Sequence, residues 1–380
     1  MNLPPFKLER YFARHEFRVR HLMCASDCEA MTVGDLLAME EGAARAFEAC
    51  WLGYTEAAGA PALRREIARL YTTIDADQVL VHTGAEEAIF LFMQAVLSPA
   101  DHVIVHWPAY QSLFDVARSL GCAVSFWKAR EQNGWALDLD ELRALRRPDT
   151  RAVVVNMPHN PTGHLMTAAH QAALVEIVRG AGLILFSDEV YRESEYDPAR
   201  RLPAACDLDE KAVSLGVLSK TYGLPGLRIG WIATRNPEIH RRMAALKDYT
   251  TICNSAPSEF LAALALRRRE ALAARSLAVI RRNLGLLEAF FARHGDRFAW
   301  VPPQAGPIAF PRLKGGDAAA FCRRLLEDAG VLLLPGAVYD FPGPHFRVGF
   351  GRHSFPQALE ALEAFIGGER RSPVTGLSKA

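Results

Sequence analysis

The stretch Ser219-Lys220-Thr221-Tyr222-Gly223-Leu224-Pro225-Gly226-Leu227-Arg228-Ile229-Gly230-Trp231 follows a short apolar run at Ala212–Leu215. The chain holds seven lysines against 37 arginines, so lysine is not its default surface cation. Lys220 has apolar and glycine neighbours and a cation, Arg228, eight residues on. Loss of water and a nearby positive charge both lower an amine's pKa, which a lysine that condenses with a carbonyl requires. The alternative is a lysine in an exposed glycine-rich loop. The stretch has neither the Gly-Lys-Thr end of a P-loop nor the Gly-x-Gly-x-x-Gly spacing of a dinucleotide fold.

Working outward, β-branched apolar runs at His102–Val105, Ala152–Val155 and Leu183–Phe186 alternate with amphipathic stretches at Glu86–Val96, Gln111–Leu120 and Ala168–Arg179. Strands alternating with helices of this length predict βαβ units around a mostly parallel sheet, an α/β class of fold. From about 256 to 294 the pattern is one nearly unbroken helix rich in Ala, Leu and Arg. Beyond it, strand-like pieces at 298–301, 307–310 and 346–349 and helices at 317–328 and 355–366 predict a smaller α+β domain. The segment before about residue 45 is read as an arm packing with the C-terminal part. The large domain is therefore expected over 46–275, and the small one over 1–45 and 276–380. The tail 367–380 has few apolar residues and is expected to fray.

Composition narrows the function. Half of the 380 residues are hydrophobic, 23% are charged and the formal charge is +1, the balance of an ordinary globular protein rather than a disordered chain. A near-neutral chain offers no electrostatic footprint for nucleic acid, and charged residues interrupt every apolar stretch, so no membrane span is expected. The N-terminal residues lack a secretory layout, and seven scattered cysteines argue for reduced thiols in a cytoplasm. Cys24 and Cys28 are spaced for one helix face, but no second pair completes a metal site. His102 and His106 are read as core or edge histidines. The arginines at 267–269, 281–282 and 323–324 are read as solvated helix faces.

Three further motifs sit at expected strand ends. Ser187-Asp188-Glu189-Val190-Tyr191 follows Leu183–Phe186, where parallel sheets open their ligand crevice. Its acids either face a ligand or cap a following helix. Asn156-Met157-Pro158-His159-Asn160-Pro161-Thr162-Gly163 follows Ala152–Val155 and is also an ordinary turn sequence. Val79–His82 leads into Thr83-Gly84-Ala85-Glu86-Glu87, where Gly84 permits close backbone approach and helix-opening amides point at an anion. Glu86 and Glu87 would repel a phosphate and are expected to point away.

In this order and spacing the motifs resemble the class I/II aminotransferases of pyridoxal-phosphate fold type I, from about Gly53 to Gly349. The resemblance implies a large three-layer α/β/α domain with a smaller α+β domain, pyridoxal 5'-phosphate as cofactor and a homodimer with shared active sites. It also implies transfer of an α-amino group from an amino acid to a 2-oxo acid by a ping-pong mechanism. Carried over residue by residue, Lys220 corresponds to the lysine that binds the cofactor and shuttles the proton, and Asp188 to the partner of the pyridine nitrogen. Tyr191 and Asn160 correspond to the pair on the ring hydroxyl, and Arg228 with Gly84 and Ala85 to the phosphate site. Tyr110 is the stacking ring, Tyr54 the tyrosine that reaches the phosphate from the partner subunit, and Arg347 the grip on the substrate carboxylate, beside Asn160.

Two departures stand out. Val217 occupies the place of a phosphate-binding serine, leaving Ser219 or Thr83 to supply that bond. The arm reads Cys24-Ala25-Ser26-Asp27-Cys28, where Asp27 either meets a basic substrate side chain or serves as a loop or capping residue. This arm and Ser214–Lys220 resemble a branch that includes capreomycidine synthases, which cyclise a hydroxyarginine derivative on the same cofactor. Elimination with cyclisation is therefore the alternative reaction.

Overall fold

Seven short runs of β-branched and apolar residues build one sheet in the computed structural model, which describes residues 2–371. We label them β1 (Val79–His82), β2 (His102–Trp107), β3 (Ala123–Lys128), β4 (Thr150–Asn156), β5 (Ile184–Asp188), β6 (Val213–Val217) and β7 (Gly230–Ala233). Their order across the sheet is β1-β7-β6-β5-β4-β2-β3. Only β7 runs antiparallel to its neighbours, β1 and β6; all other pairs are parallel. The expected α/β architecture holds, and two strands that sequence reading passed over, β3 and β7, complete the sheet.

Helices cover both faces, so the strands read as continuous apolar runs rather than alternating ones. Alternate residues nevertheless feed different cores. Val103, Val105, Ala152 and Val154 pack with Leu91, Phe92 and Val96 of helix Ala85–Val96. Ile104, Val153 and Val155 face the other way, against Leu174, Val175 and Val178 of helix Ala168–Gly180. The parallel register sets Asn156 beside Asp188, and Asp188 beside Leu215. Strand ends carrying polar residues thus line up along one edge.

The long helix expected over 256–294 is two helices, Ala256–Arg267 and Arg269–Arg293. Arg268 leaves helical geometry at φ −106° and ψ 15°, and Arg267 and Arg268 both reach Glu40, at 2.8 and 3.4 Å. The break lets the first helix stay in the core around Leu63 and Ile67, while the second carries Ile280 and Leu287 into another. That second core gathers Phe298, Phe321, Phe346 and Phe350 with Met23 and Cys28 from the N-terminal segment. His21 and Leu22 pair in parallel with Val331 and Leu332, whereas Leu36 and Ala43 pack on the sheet side with Leu63 and Val79. Cys24 and Cys28 lie in irregular chain, not on a helix face, and both are buried. His102 is buried between Thr150 and Ser125, and His106 is buried as well. Arg267 and Arg268 are exposed but ion-paired, Arg269 is half-buried near Glu193, and the arginines at 281–282 and 323–324 are exposed. The last helix, Phe355–Arg371, takes in the start of the tail expected to fray; 372–380 lie outside the described residues. Among the described residues, no helix is long and apolar enough to cross a membrane.

Candidate active site

The ends of β4, β5 and β6, with Asn156, Asp188 and Val217, border a cavity of about 420 Å³. Asp188 terminates β5 and is buried. Its Oδ1 accepts from the Val190 N–H at 3.2 Å, and its carbonyl accepts from Asn156 Nδ2 at 3.1 Å. Burial pushes its carboxyl up to about 7, against the opposing pull of the Val190 N–H and the Lys220 ammonium. Glu189 turns the other way, where its Oε1 accepts from the Ala205 N–H and the Ser214 hydroxyl, both at 2.9 Å. The two acids therefore part company. Asp188 faces the cavity and Glu189 holds the start of helix Ala205–Leu208.

Lys220 is half-buried just beyond β6, and its Nζ donates to Ser26 Oγ at 3.0 Å. Loss of water lowers its pKa; the Asp27 and Asp188 carboxylates oppose this, and the Arg347 guanidinium adds to it. The cation acting on the amine is thus Arg347, contributed by the fold, rather than Arg228, suggested by the sequence. Tyr191 is buried, and its hydroxyl donates to the Ser26 carbonyl at 3.1 Å. Ser26 of the N-terminal segment touches both.

At the opposite end, Gly84 has φ +84°, and a Cβ there would stand 2.6 Å from Arg228 Nη2. A Cβ on Gly230 would stand 2.8 Å from the Ala85 nitrogen. Gly84, at the N-cap of helix Ala85–Val96, has no side chain to cap the helix's first amides. Exposed Arg228, itself at φ 53°, donates from Nη1 to the Pro225 carbonyl at 3.0 Å. Bare backbone, a helix start and a guanidinium in one place suit a phosphate. Val217 and Ser219 both line the cavity, whereas Thr83 is directed to Asn254, 3.4 Å away. Ser219 is therefore the hydroxyl at hand.

Glu87 points away as expected, accepting from Thr83 N–H and from the Thr250 and Thr251 hydroxyls. Glu86 does not. It lines the cavity and accepts from Ser112 Oγ at 3.1 Å, while the residue stays exposed.

The third corner is built around Arg347, only 1% exposed. Its Nε and Nη2 donate to the Cys24 carbonyl at 3.0 and 2.7 Å, and its Nη1 to Asn160 Oδ1 at 3.2 Å and to the Tyr339 hydroxyl. Tyr339 donates in turn to Asn160 Oδ1 at 3.0 Å. Tyr110 lines the cavity and donates to Glu9 at 2.9 Å. Tyr54 does not reach this cavity; 86% exposed, it borders a shallow hollow with Leu52, Asn254 and Pro257.

Sequence reading missed the contribution of helix Lys7–His15 and the residue after it. Glu9, Phe12 and Glu16 line the cavity, as do Ser26 and Asp27. The available signal was the recurrence of Leu8, Tyr11, Phe12 and His15 at helical spacing. Asp27 forms a two-pronged pair with Arg352 at 2.8 and 2.9 Å, so its charge is already answered within the chain. Tyr339 was also missed. Among the described residues, no cluster of His, Cys, Asp and Glu could hold a metal ion.

With this geometry established, comparison with known proteins is informative. The family described as aminotransferase class I and II matches residues 37–365. Capreomycidine synthase of Streptomyces vinaceus is 31% identical over 374 residues, covering 97% of this chain and 95% of that protein. A probable N-succinyldiaminopimelate aminotransferase, DapC, of Mycobacterium tuberculosis is 34% identical over 306 residues, 76% of this chain and 75% of its own. A crystal structure of a PLP-dependent aminotransferase from Streptococcus suis superposes with a TM-score of 0.91 at 31% identity, covering 97% and 99% of the two chains.

Proposed function

The chain belongs to the class I and II aminotransferases, a pyridoxal-phosphate-dependent family, and we propose that it moves the α-amino group of an amino acid to a 2-oxo acid by two half-reactions at Lys220. The observation that carries this reading is the convergence of Lys220, Asp188, Asn160, Tyr191 and Arg347 on one cavity that also holds the Gly84–Arg228 cradle. When bound, pyridoxal phosphate supplies a carbonyl for the amine and a ring that withdraws electrons. The phosphate would sit on Gly84, Ala85, Ser219 and Arg228, with Tyr54 arriving from a second copy of the chain. The ring would lie against Tyr110, with Asp188 at its nitrogen and Tyr191 and Asn160 at its hydroxyl.

The chain's own residues then divide the work. The Lys220 amine, lowered by burial, is free of its proton for more of the time and can take the substrate's α-proton and return it. Asp188, costly to ionise where it stands, becomes a carboxylate once a positive ring nitrogen faces it. Arg347 is held in place by the Cys24 carbonyl and Asn160, so it offers a pre-aimed fork to a carboxylate. Glu9 and Glu16 line the same cavity as Arg347 and suit a substrate whose side chain carries positive charge. That acidic wall, together with the 97% coverage of the chain by a capreomycidine synthase, favours elimination with cyclisation as the second reading. We place the enzyme in the cytoplasm as a homodimer.

The test is the visible spectrum with pyridoxal phosphate, for wild type and Lys220→Ala, during titration with lysine, arginine, ornithine, aspartate and an arginine hydroxylated on its β-carbon, whose hydroxyl can leave as water. We expect a cofactor band that the variant lacks, converted to the amine form by cationic amino acids before aspartate. Amine-form cofactor with a 2-oxo acid product supports transfer. A cyclised product with the cofactor form unchanged supports the second reading, and absence of any band overturns both.

A further inference from the structure

A buried histidine outside the proposed chemistry lies between two turns of the cavity. His159 is 1% exposed and directly precedes Asn160. Its Nε2 lies 2.8 Å from the Pro108 carbonyl oxygen, and its Nδ1 lies 2.7 Å from the Thr162 hydroxyl. A carbonyl only accepts, so Nε2 carries the proton and Nδ1 accepts from Thr162. Thr162 Oγ1 in turn accepts from the His164 N–H at 3.2 Å, so every proton in the chain of bonds has one place. The ring also stacks on His106 of β2, with centroids 3.7 Å apart and planes at 17°. Burial depresses the imidazole's pKa to about 3, so this neutral tautomer persists at physiological pH. Pro108 lies in the turn after β2, two residues before Tyr110, and Thr162 lies in the turn after β4, two residues after Asn160. β2 and β4 are neighbours in the sheet, yet both turns lie beyond the last paired residues, Val105 and Val154.

We propose that His159 is a positioning residue that straps the turn carrying Tyr110 to the turn carrying Asn160 and so sets the spacing of these two cavity walls. The proposal rests on the roles assigned above to Tyr110 and Asn160. Because Pro108 and Thr162 are buried, losing the strap strands polar atoms without water to replace it.

Three variants test this. A glutamine amide reaches roughly where Nε2 stands and can still donate to Pro108, an asparagine amide reaches roughly where Nδ1 stands, and leucine reaches neither partner. For each, the circular dichroism of bound cofactor, KM and kcat for the amino donor, and the melting temperature of the cofactor-loaded protein are measured. For His159→Leu we expect an altered cofactor dichroism band and a KM raised about tenfold. His159→Gln should restore the band, and His159→Asn should not. Wild-type dichroism and KM in His159→Leu, whatever its melting temperature, would overturn the strap and leave His159 as packing. If His159→Leu does not fold, indistinguishable wild-type behaviour of the Gln and Asn variants overturns it equally. Failure of the wild-type protein to take up cofactor would instead overturn the proposed function itself.

Discussion

At the scale of single residues, the site is a set of groups kept away from the charge state they prefer in water. Asp188 is pushed up to about 7 by burial, from an ordinary value of 3.8. Between those limits the unfolded chain gives up this proton while the folded chain keeps it. Folding without cofactor therefore weakens as pH rises from about 4 to about 7, and the loss levels off above that. We expect the cofactor-free protein to melt at a lower temperature at pH 8 than at pH 5, with Asp188→Asn flattening the difference. An unchanged slope in this variant would count against the Asp188 carboxyl as its source. Asp188 was legible in sequence because an acid directly after an apolar strand is conspicuous. Glu86 was misread because only the fold brings Ser112 beside it and sets it on the cavity wall.

At the scale of elements, the start of helix Ala85–Val96 does the most with the least sequence. Gly84 combines a positive φ of +84° with a guanidinium 2.6 Å from where a Cβ would stand, so a methyl group meets both backbone strain and Arg228. Gly84→Ala should weaken pyridoxal phosphate binding about tenfold, read by fluorescence titration of the cofactor-free protein; unaltered affinity would remove Gly84 from the phosphate site. Adjacent glutamates point to different faces of a helix, which is why Glu86 enters the cavity while Glu87 is tied to Thr250 and Thr251. The hydrophobic pattern located this helix and most strands, because burial on both sheet faces leaves continuous apolar runs. It missed β7, a four-residue strand hidden in the glycine-rich stretch, and it ran through the break at Arg268, where local helix propensity gives no warning.

For the whole molecule, the segment up to Cys28 belongs physically with the C-terminal core, yet it brings Glu9, Glu16 and Ser26 to a cavity formed at the sheet. Trp51, Leu52 and Tyr54 are 78%, 80% and 86% exposed, and Tyr249 is 90% exposed, more apolar surface than a free monomer usually shows. This fits a face buried in the homodimer we propose, with Tyr54 completing the neighbour's phosphate site. Trp51→Asp should shift the protein toward monomer in sedimentation velocity and lower its cofactor affinity together. A stable dimer with unchanged affinity would place the interface elsewhere.

The sequence by itself determined the α/β architecture, the family and the candidates Lys220, Asp188, Asn160, Tyr191, Arg228 and Arg347, because strand periodicity and motif order are local properties of the chain. Tertiary structure alone decided which of these groups meet. Arg347 is aimed by the Cys24 carbonyl, 323 residues away, and Lys220 touches Ser26, 194 residues away. Glu86 borders the cavity for the same reason, since side-chain contacts depend on neighbours that only folding brings together.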